Sequence, residues 1–280
     1  MGTCKFCQRP AGILRSLHPE CVALHSGSLK RTRSELASAL RTTGNFESVL
    51  PRIERFAETG RLSNEDVKNA LVSEWEIAIE HFLDDGELDA AEEHRLVCYI
   101  EQFKLTQPEL DRNGALTTLA KAGAIRELLE GRLPQRMTVQ GNLPINFLKS
   151  EKVVWAFRNA KYLEDKNQRT YVGGSQGFSV RVMKGVYYRA SAFKGQAVDR
   201  TVRVAVDEGL VVVTDKNIYF TGGQKSLRVP YSNVVSFQPF ADGIGIVRDA
   251  ANAKLQIFAT GDGWFVHNLV VNLARMAGDG

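Results

Sequence analysis

No apolar run in this 280-residue chain comes near the roughly 20 residues needed to cross a bilayer. "GLVVV" and "FVHNLVV" are among the longest, and the opening residues are polar rather than an apolar leader, so neither a transmembrane segment nor export is expected. Met1-Gly2 begins like a myristoylation site, but Phe6 stands where that motif needs Ser or Thr. Cysteine is scarce as well: of four, three fall in the first 21 positions and Cys98 stands alone on a helical stretch. That distribution argues against a disulfide framework and for metal binding in a reducing, cytoplasmic setting. Catalytic signatures are missing too. There is no G-x-S-x-G, G-K-[ST] or H-E-x-x-H, and "GGSQG" at 173–177 lies among β segments with no helix after it. His25, His81, His94 and His267 are dispersed, and nothing in the sequence marks His94 as a base for Cys98, which reads as a small buried hydrophobe. The chain is expected not to be an enzyme.

What the chain does contain is ordinary globular material, 44% hydrophobic and 24% charged, which excludes a disordered tail. Its formal charge of +4 hides a pattern. Residues 1–33 carry six Lys and Arg against one acidic residue, 34–130 carry ten against twenty, and 131–280 carry twenty against eleven. The chain is basic, then acidic, then basic; its parts could dock on one another, or face nucleic acid or a lipid surface.

The opening "CKFCQRPAGILRSLHPEC" holds a C-x2-C pair, Cys4 and Cys7, and an H-x2-C pair, His18 and Cys21, with ten residues between the pairs. A C-x2-C doublet lets one tight turn present two sulfurs to one ion, and Pro19 suits the first position of a helix whose first turn carries the second doublet. His25 is a spare candidate. Four protein ligands fill a tetrahedral ion, so a structural zinc is expected rather than a catalytic one. On these four residues the segment resembles the treble-clef and zinc-ribbon class of small zinc modules. The neighbouring Lys5, Arg9, Arg15, Lys30, Arg31 and Arg33 could contact phosphates or dock a protein.

From Val22 to about Gly131 apolar residues recur at helical spacing, predicting helices near 21–43, 46–59, 64–83, 89–104 and 113–130, with Ser63 and Asp89 as N-caps. Within it, aligning Gly86 with the sixth position of a calcium loop puts Asp85 fifth and Glu92 twelfth. The first and third positions then fall on His81 and Leu83, too few carboxylates for tight calcium binding, so the stretch reads as a helix–turn–helix joint. The turn Asp85-Gly86-Glu87-Leu88, followed by Glu92 and Glu93, resembles TerB-like (tellurite-resistance) helical domains over roughly 65–130, which implies a link to metal stress or defence assemblies.

After "EGRLPQRMTVQGNLP" the period becomes alternating: "EKVVWAFR", "FSVRVM", "VYYRASAF", "RTVRVAV", "GLVVVTDKNIYFTG" and "KSLRVPYSNVVSFQPF" are punctuated by turn signals at Lys184-Gly185, Asp207-Glu208-Gly209, Thr221-Gly222-Gly223 and Asp242-Gly243. "GDGWFVHNLVVNLARM" then predicts an amphipathic helix with Phe265, Leu269, Val270 and Leu273 in its stripe, and Trp155 and Trp264 read as core anchors. The order of strands and turns in "GLVVVTDKNIYFTGGQKSLRVPYSNVVSF" resembles the GRAM and bacterial PH-like family. That resemblance implies a basic first loop, with Lys161, Lys166, Arg169, Arg181 and Lys184 as the candidates for a headgroup or other ligand.

The fold class expected is therefore α+β and multidomain: a zinc module over 1–33 running into the first helix, an acidic helical bundle over 34–133, a linker over 134–146, and over 147–280 a PH-like β-barrel or sandwich with a capping helix. The function expected is a cytoplasmic adaptor or scaffold for a protein partner. Two alternatives stay open, a nucleic-acid-binding regulator using the basic zinc module and anionic-lipid binding at a membrane surface.

Overall fold

The computed structural model describes the backbone of all residues but 1, 13–14, 85–86, 139–142, 173–174, 184–185, 194–195, 252 and 279–280, and all described side chains but those of 43 and 166–202. It divides into two compact units, Met1–Glu130 and Gly131–Gly280, and its class is α+β.

In the first unit a short antiparallel pair, β1 (Gly2–Thr3) and β2 (Pro10–Gly12), precedes α1 (Pro19–Ser38), a π-helical turn (Ala39–Thr43), α2 (Leu50–Gly60), α3 (Asn64–Phe82), α4 (Ala90–Phe103), α5 (Gln107–Leu110) and α6 (Ala115–Leu129). Both predicted caps form reciprocal boxes. The Asp66 N–H donates to Ser63 Oγ at 3.1 Å and the Ser63 N–H to Asp66 Oδ2 at 2.8 Å; the Glu92 N–H donates to Asp89 Oδ1 at 2.7 Å and the Asp89 N–H to Glu92 Oε2 at 3.1 Å. Each cap contributes about 1 kcal/mol. The ends of α2 and α4 fall within one residue of expectation, and each is followed by a non-glycine residue in the left-handed region, Arg61 (φ 51°) and Lys104 (φ 52°).

The bundle closes around Trp75, Leu36, Leu40, Ile79, Leu96 and Tyr99, all essentially inaccessible to solvent. Burial of side chains this large stabilises by roughly 1.5–3 kcal/mol each, provided their polar atoms are paired. Trp75 Nε1 donates to the Leu96 carbonyl at 3.2 Å and the Tyr99 hydroxyl to the Leu71 carbonyl at 3.0 Å. Where α1 crosses α2, a Cβ on Gly60 would stand 2.3 Å from Ser28 Cβ and 3.3 Å from the Leu24 carbonyl oxygen. Only hydrogen fits there, so the separation of the two helices is set by glycine.

The second unit carries β3 (Val153–Val172), β4 (Ser175–Met183), β5 (Val186–Phe193), β6 (Gln196–Thr214), β7 (Asn217–Gly222), β8 (Ser226–Pro230), a 3-10 turn (Tyr231–Asn233), β9 (Val234–Phe240), β10 (Gly243–Arg248), β11 (Gln256–Ala259) and α7 (Gly263–Gly278). Seven strands form one antiparallel sheet in the order β8-β7-β6-β3-β11-β10-β9, and β4 with β5 forms a separate hairpin. β3 opens one meander and, by pairing with β11, receives the end of the other (Lys161 opposite Ala259, Glu164 opposite Gln256). The edges β8 and β9 do not pair among the described residues, so the seven strands form an open sheet and not a closed barrel. α7 caps it as expected: Phe265, Val266, Leu269, Val270 and Leu273 are inaccessible or nearly so, and the Phe265 ring lies 4.8 Å from that of Trp155.

Two sequence expectations need correction here. Trp155 is a core anchor, but Trp264 is 59% exposed, because the α7 stripe that faces the sheet begins one residue later. Asp207-Glu208-Gly209 is no turn; β6 runs through it, with register shifts against β3 absorbing the irregularity. The Asp207 carboxylate instead accepts the Gln224 and Lys225 N–H groups at 2.7 and 2.8 Å, closing the β7–β8 turn, and a Cβ on Gly209 would meet the Thr221 carbonyl oxygen at 2.1 Å.

Glu151 ties the entry of β3 to β6 and β7. Its carboxylate accepts from Thr214 Oγ1, from Asn217 Nδ2 at 2.7 Å, from the Tyr219 hydroxyl at 2.7 Å and from the Leu148 N–H at 2.8 Å. Burial alone would raise its pKa, but these donors outweigh burial and hold it below the ordinary value.

Two outcomes are expected. Gly60→Ala should destabilise the first unit by about 1–3 kcal/mol through overpacking, read as faster hydrogen exchange in α1 and α2 than in wild type. Glu151 stabilises above its unfolded pKa of about 4.3, and that contribution is lost as pH falls through the lower folded value. Glu151→Gln should therefore lower the urea midpoint at pH 7 and flatten its decline toward pH 3; an unchanged pH profile would refute the assignment.

Candidate metal centre

The first doublet is delivered by a turn after β1. The Cys4 N–H donates to the Arg9 carbonyl at 2.8 Å and the Gln8 N–H to the Cys4 carbonyl at 2.9 Å, with Gln8 in the left-handed region (φ 59°). The second doublet is delivered by α1. His18 is its N-cap in extended conformation, Pro19 its first residue, and Cys21, three positions on, shares the face of His18. A Lys5 N–H bond to the Ser16 carbonyl at 2.9 Å joins the two arms. One donor atom from each of Cys4, Cys7, His18 and Cys21 lies within 4.8 Å of all the others, the one Cys/His/Asp/Glu cluster of such geometry among the described residues.

Cys7 Sγ is 3.3 Å and Cys21 Sγ 3.8 Å from His18 Nδ1. These values bracket the about 3.6 Å separating sulfur and nitrogen on a tetrahedral zinc. His18 Nε2 lies 3.0 Å from the Pro10 carbonyl oxygen. A carbonyl can only accept, so Nε2 carries the proton and Nδ1 keeps its lone pair for the cluster, the usual outer partner of a ligating histidine. All the cysteines are free thiols.

The thiols are not equivalent. Burial would raise Cys4, but the N–H groups of Cys7, His18 and Phe6 outweigh it and bring it down to about 6. Cys7 is lowered, first by the Arg9 N–H, while burial and the two other thiols push Cys21 up to about 11. His18 is raised, first by the Pro10 carbonyl. Three thiolates repel one another, so the last keeps its proton; a dication reverses that balance and its binding releases protons. The donor set, three sulfurs and one imidazole nitrogen, fits a soft or borderline ion with a complete shell.

Other residues hold the cluster from outside and were not legible in its spacing. Arg61, at the left-handed end of α2, points Nη1 at Cys21 Sγ from 3.8 Å, placing a fixed cation beside a thiolate-rich site. His25, the spare ligand candidate, is not in the cluster. Its ring stacks on Phe6 at 4.3 Å between centroids and its Nε2 lies 3.4 Å from Asp66 Oδ2, so it joins the module to α3.

The remaining candidates fare differently. Lys161 is exposed on β3, opposite Glu208 and Ala259. The side chains of Lys166, Arg169 and Arg181, and Lys184 altogether, lie outside the described residues; strand register sets Lys166 opposite Val202, Arg169 opposite Asp199 and Arg181 opposite Tyr187. Asp85 and Gly86 also lie outside them, while Asp89 and Glu92 are engaged in their capping box. Cys98 is half-buried, and His94, one helical turn away, comes within 3.5 Å of its sulfur, a proximity the sequence reading had not marked. Lys5, Arg9, Arg15, Lys30, Arg31 and Arg33 are exposed, and of these Arg33 also comes within 3.9 Å of the buried Glu74.

Purified full-length protein should carry one metal ion per chain by elemental analysis. Cys4→Ser with Cys21→Ser should abolish it and His25→Ala should leave it; metal retained in the double variant, or lost with His25→Ala, would reverse the ligand assignment.

No family model matches the chain, and no curated protein matches it. Among solved structures it is similar to the crystal structure of the linker-DH/PH domains of p115-RhoGEF, at 10% identity over 99% of this chain and 78% of that one, with a TM-score of 0.24. A likeness at that score carries no argument, and the C-terminal fold rests on its own strand order and capping helix.

Proposed function

We propose that the chain is a cytoplasmic, non-catalytic adaptor in which a structural zinc organises the N-terminal module and the PH-like unit binds a protein partner. The observation that carries this reading is the closed donor set. Cys4, Cys7, His18 and Cys21 supply four ligands, with His18 oriented by Pro10 and Cys21 faced by Arg61. When bound, zinc supplies folding energy that a segment this short cannot draw from a core of its own. Zinc is favoured among metals because three thiolates and one imidazole are its habitual structural ligands. Free thiols in such a site favour a reducing compartment. The TerB-like reading of the bundle rests on α3 and α4 joined by a short connection ending in the Asp89 cap; the GRAM reading of the second unit rests on its two meanders and α7. Among the described residues no helix is long and apolar enough to cross a membrane.

A second reading has an observation of its own: five basic side chains of the opening segment are exposed rather than paired into the bundle, a surface that phosphates would suit. Capture of tagged full-length protein from native lysate separates the two. The adaptor reading expects a stoichiometric protein partner that survives nuclease treatment and moderate salt. The nucleic-acid reading expects bound DNA or RNA whose affinity falls by orders of magnitude between roughly 50 and 200 mM salt.

A further inference from the structure

The PH-like unit contains a polar chain that ends on an unused acceptor. Tyr162, fully inaccessible on β3, donates its hydroxyl to Glu164 Oε1 at 2.8 Å, since a carboxylate can only accept. Burial holds Tyr162 as a phenol, with its pKa up to about 12. The hydroxyl, its proton committed, accepts from Gln256 Nε2 at 3.0 Å. This fixes the amide of Gln256 with its nitrogen toward Tyr162. Gln256 is 6% exposed, and its Oε1 has no partner among the described residues. An orphaned acceptor this deep costs about 1–3 kcal/mol, so it calls for a donor.

Gln256, Tyr162 and Glu164 line a cavity of about 270 Å³, and Arg248 and Lys254 stand at the same cavity as exposed cations. Glu164 already receives the Lys225 ammonium. Ala250, Ala251 and Ala253, in the connection from β10 to β11, supply small apolar walls. The volume lies just below the range of sites for drug-sized ligands, so the occupant is small or is the tip of something larger.

We propose that this cavity binds the C-terminal end of a peptide chain. The terminal carboxylate sits between Arg248 and Lys254, a small shift of the Gln256 side chain brings Oε1, closed to solvent in the free chain, to the last amide N–H, and a small apolar terminal side chain lies against the alanines. A phosphate fits the cavity less well: it brings up to two negative charges beside the Glu164 carboxylate in the wall, and an inorganic ion leaves Oε1 and the alanines unused. The inference rests on the reading of this unit as a protein-binding module and names the part of the partner it takes.

The test is a titration of the 15N-labelled full chain with N-acetyl-alanyl-alanine, beside its C-terminal amide and inorganic phosphate. Saturable shifts at the Gln256 side-chain amide and at the Ala250, Ala251 and Ala253 backbone amides are expected with the free acid alone. Gln256→Leu and Arg248→Gln should each weaken binding about tenfold, the loss of one charge-assisted or buried hydrogen bond. Arg248 is exposed, so its variant reads the site even where Gln256→Leu disturbs the fold. Equal shifts with the amide, displacement of the peptide by equimolar phosphate, or no saturable shift would overturn the proposal. A partner captured from lysate whose binding survives Arg248→Gln would also overturn it while leaving the adaptor reading intact; saturable binding of the free acid supports the pocket even where lysate capture yields no protein.

Discussion

A buried polar atom without a partner costs about as much as a large fraction of a domain's net stability, and this constraint sorts the whole molecule. In the bundle it sends the Trp75 indole and the Tyr99 hydroxyl to the backbone carbonyls of Leu96 and Leu71, inside α4 and α3. In the sheet it gathers Thr214, Asn217 and Tyr219 around one carboxylate, Glu151, and makes Asp207 serve two N–H groups of a distant turn. At the N-terminus it orders the imidazole of His18 through Pro10 before any ion arrives. Satisfied in these networks, the rule is broken at a few other buried atoms, Thr32 Oγ1 and His267 Nδ1 among them, and at Gln256, the one of these three that lines the cavity described above, where a ligand has most to gain.

Charge works on a different scale. The basic opening and the acidic bundle of the sequence become neighbours in the first unit, where His25 reaches Asp66 and Arg33 approaches Glu74. These contacts are long and partly exposed, worth well under the cost of unfolding anything. Arg61 is another matter, because it stands beside sulfurs whose negative charge a single dication does not fully cancel. Three thiolates around a dication would leave one net negative charge, which one guanidinium offsets.

Much of this was legible because its causes are local. Ser63 and Asp89 announce helix starts through residues three positions on, and the periodicity of Phe265, Leu269 and Leu273 announces the capping helix. The metal cluster was legible because doublet spacing is also local. What escaped has causes far along the chain. Arg61 meets Cys21 across forty positions, and its left-handed backbone carries no glycine to mark it. Asp207-Glu208-Gly209 has turn chemistry, yet its aspartate and glycine serve another strand's turn and another strand's close approach, so β6 passes straight through. Trp264 was misjudged by one helical position, enough to turn a large ring from the sheet to solvent.

β3 belongs to both meanders, and its pairing with β11 joins residues more than ninety positions apart. During synthesis the first meander can form while the strand that must flank β3 on its other side has not yet been made. The open flank of β3 is thus a sticky edge for as long as the second meander is incomplete, and closing it pays for a long loop at once. Slow maturation, and a need for shielding against edge-to-edge association, are built into the order in which this sheet is threaded.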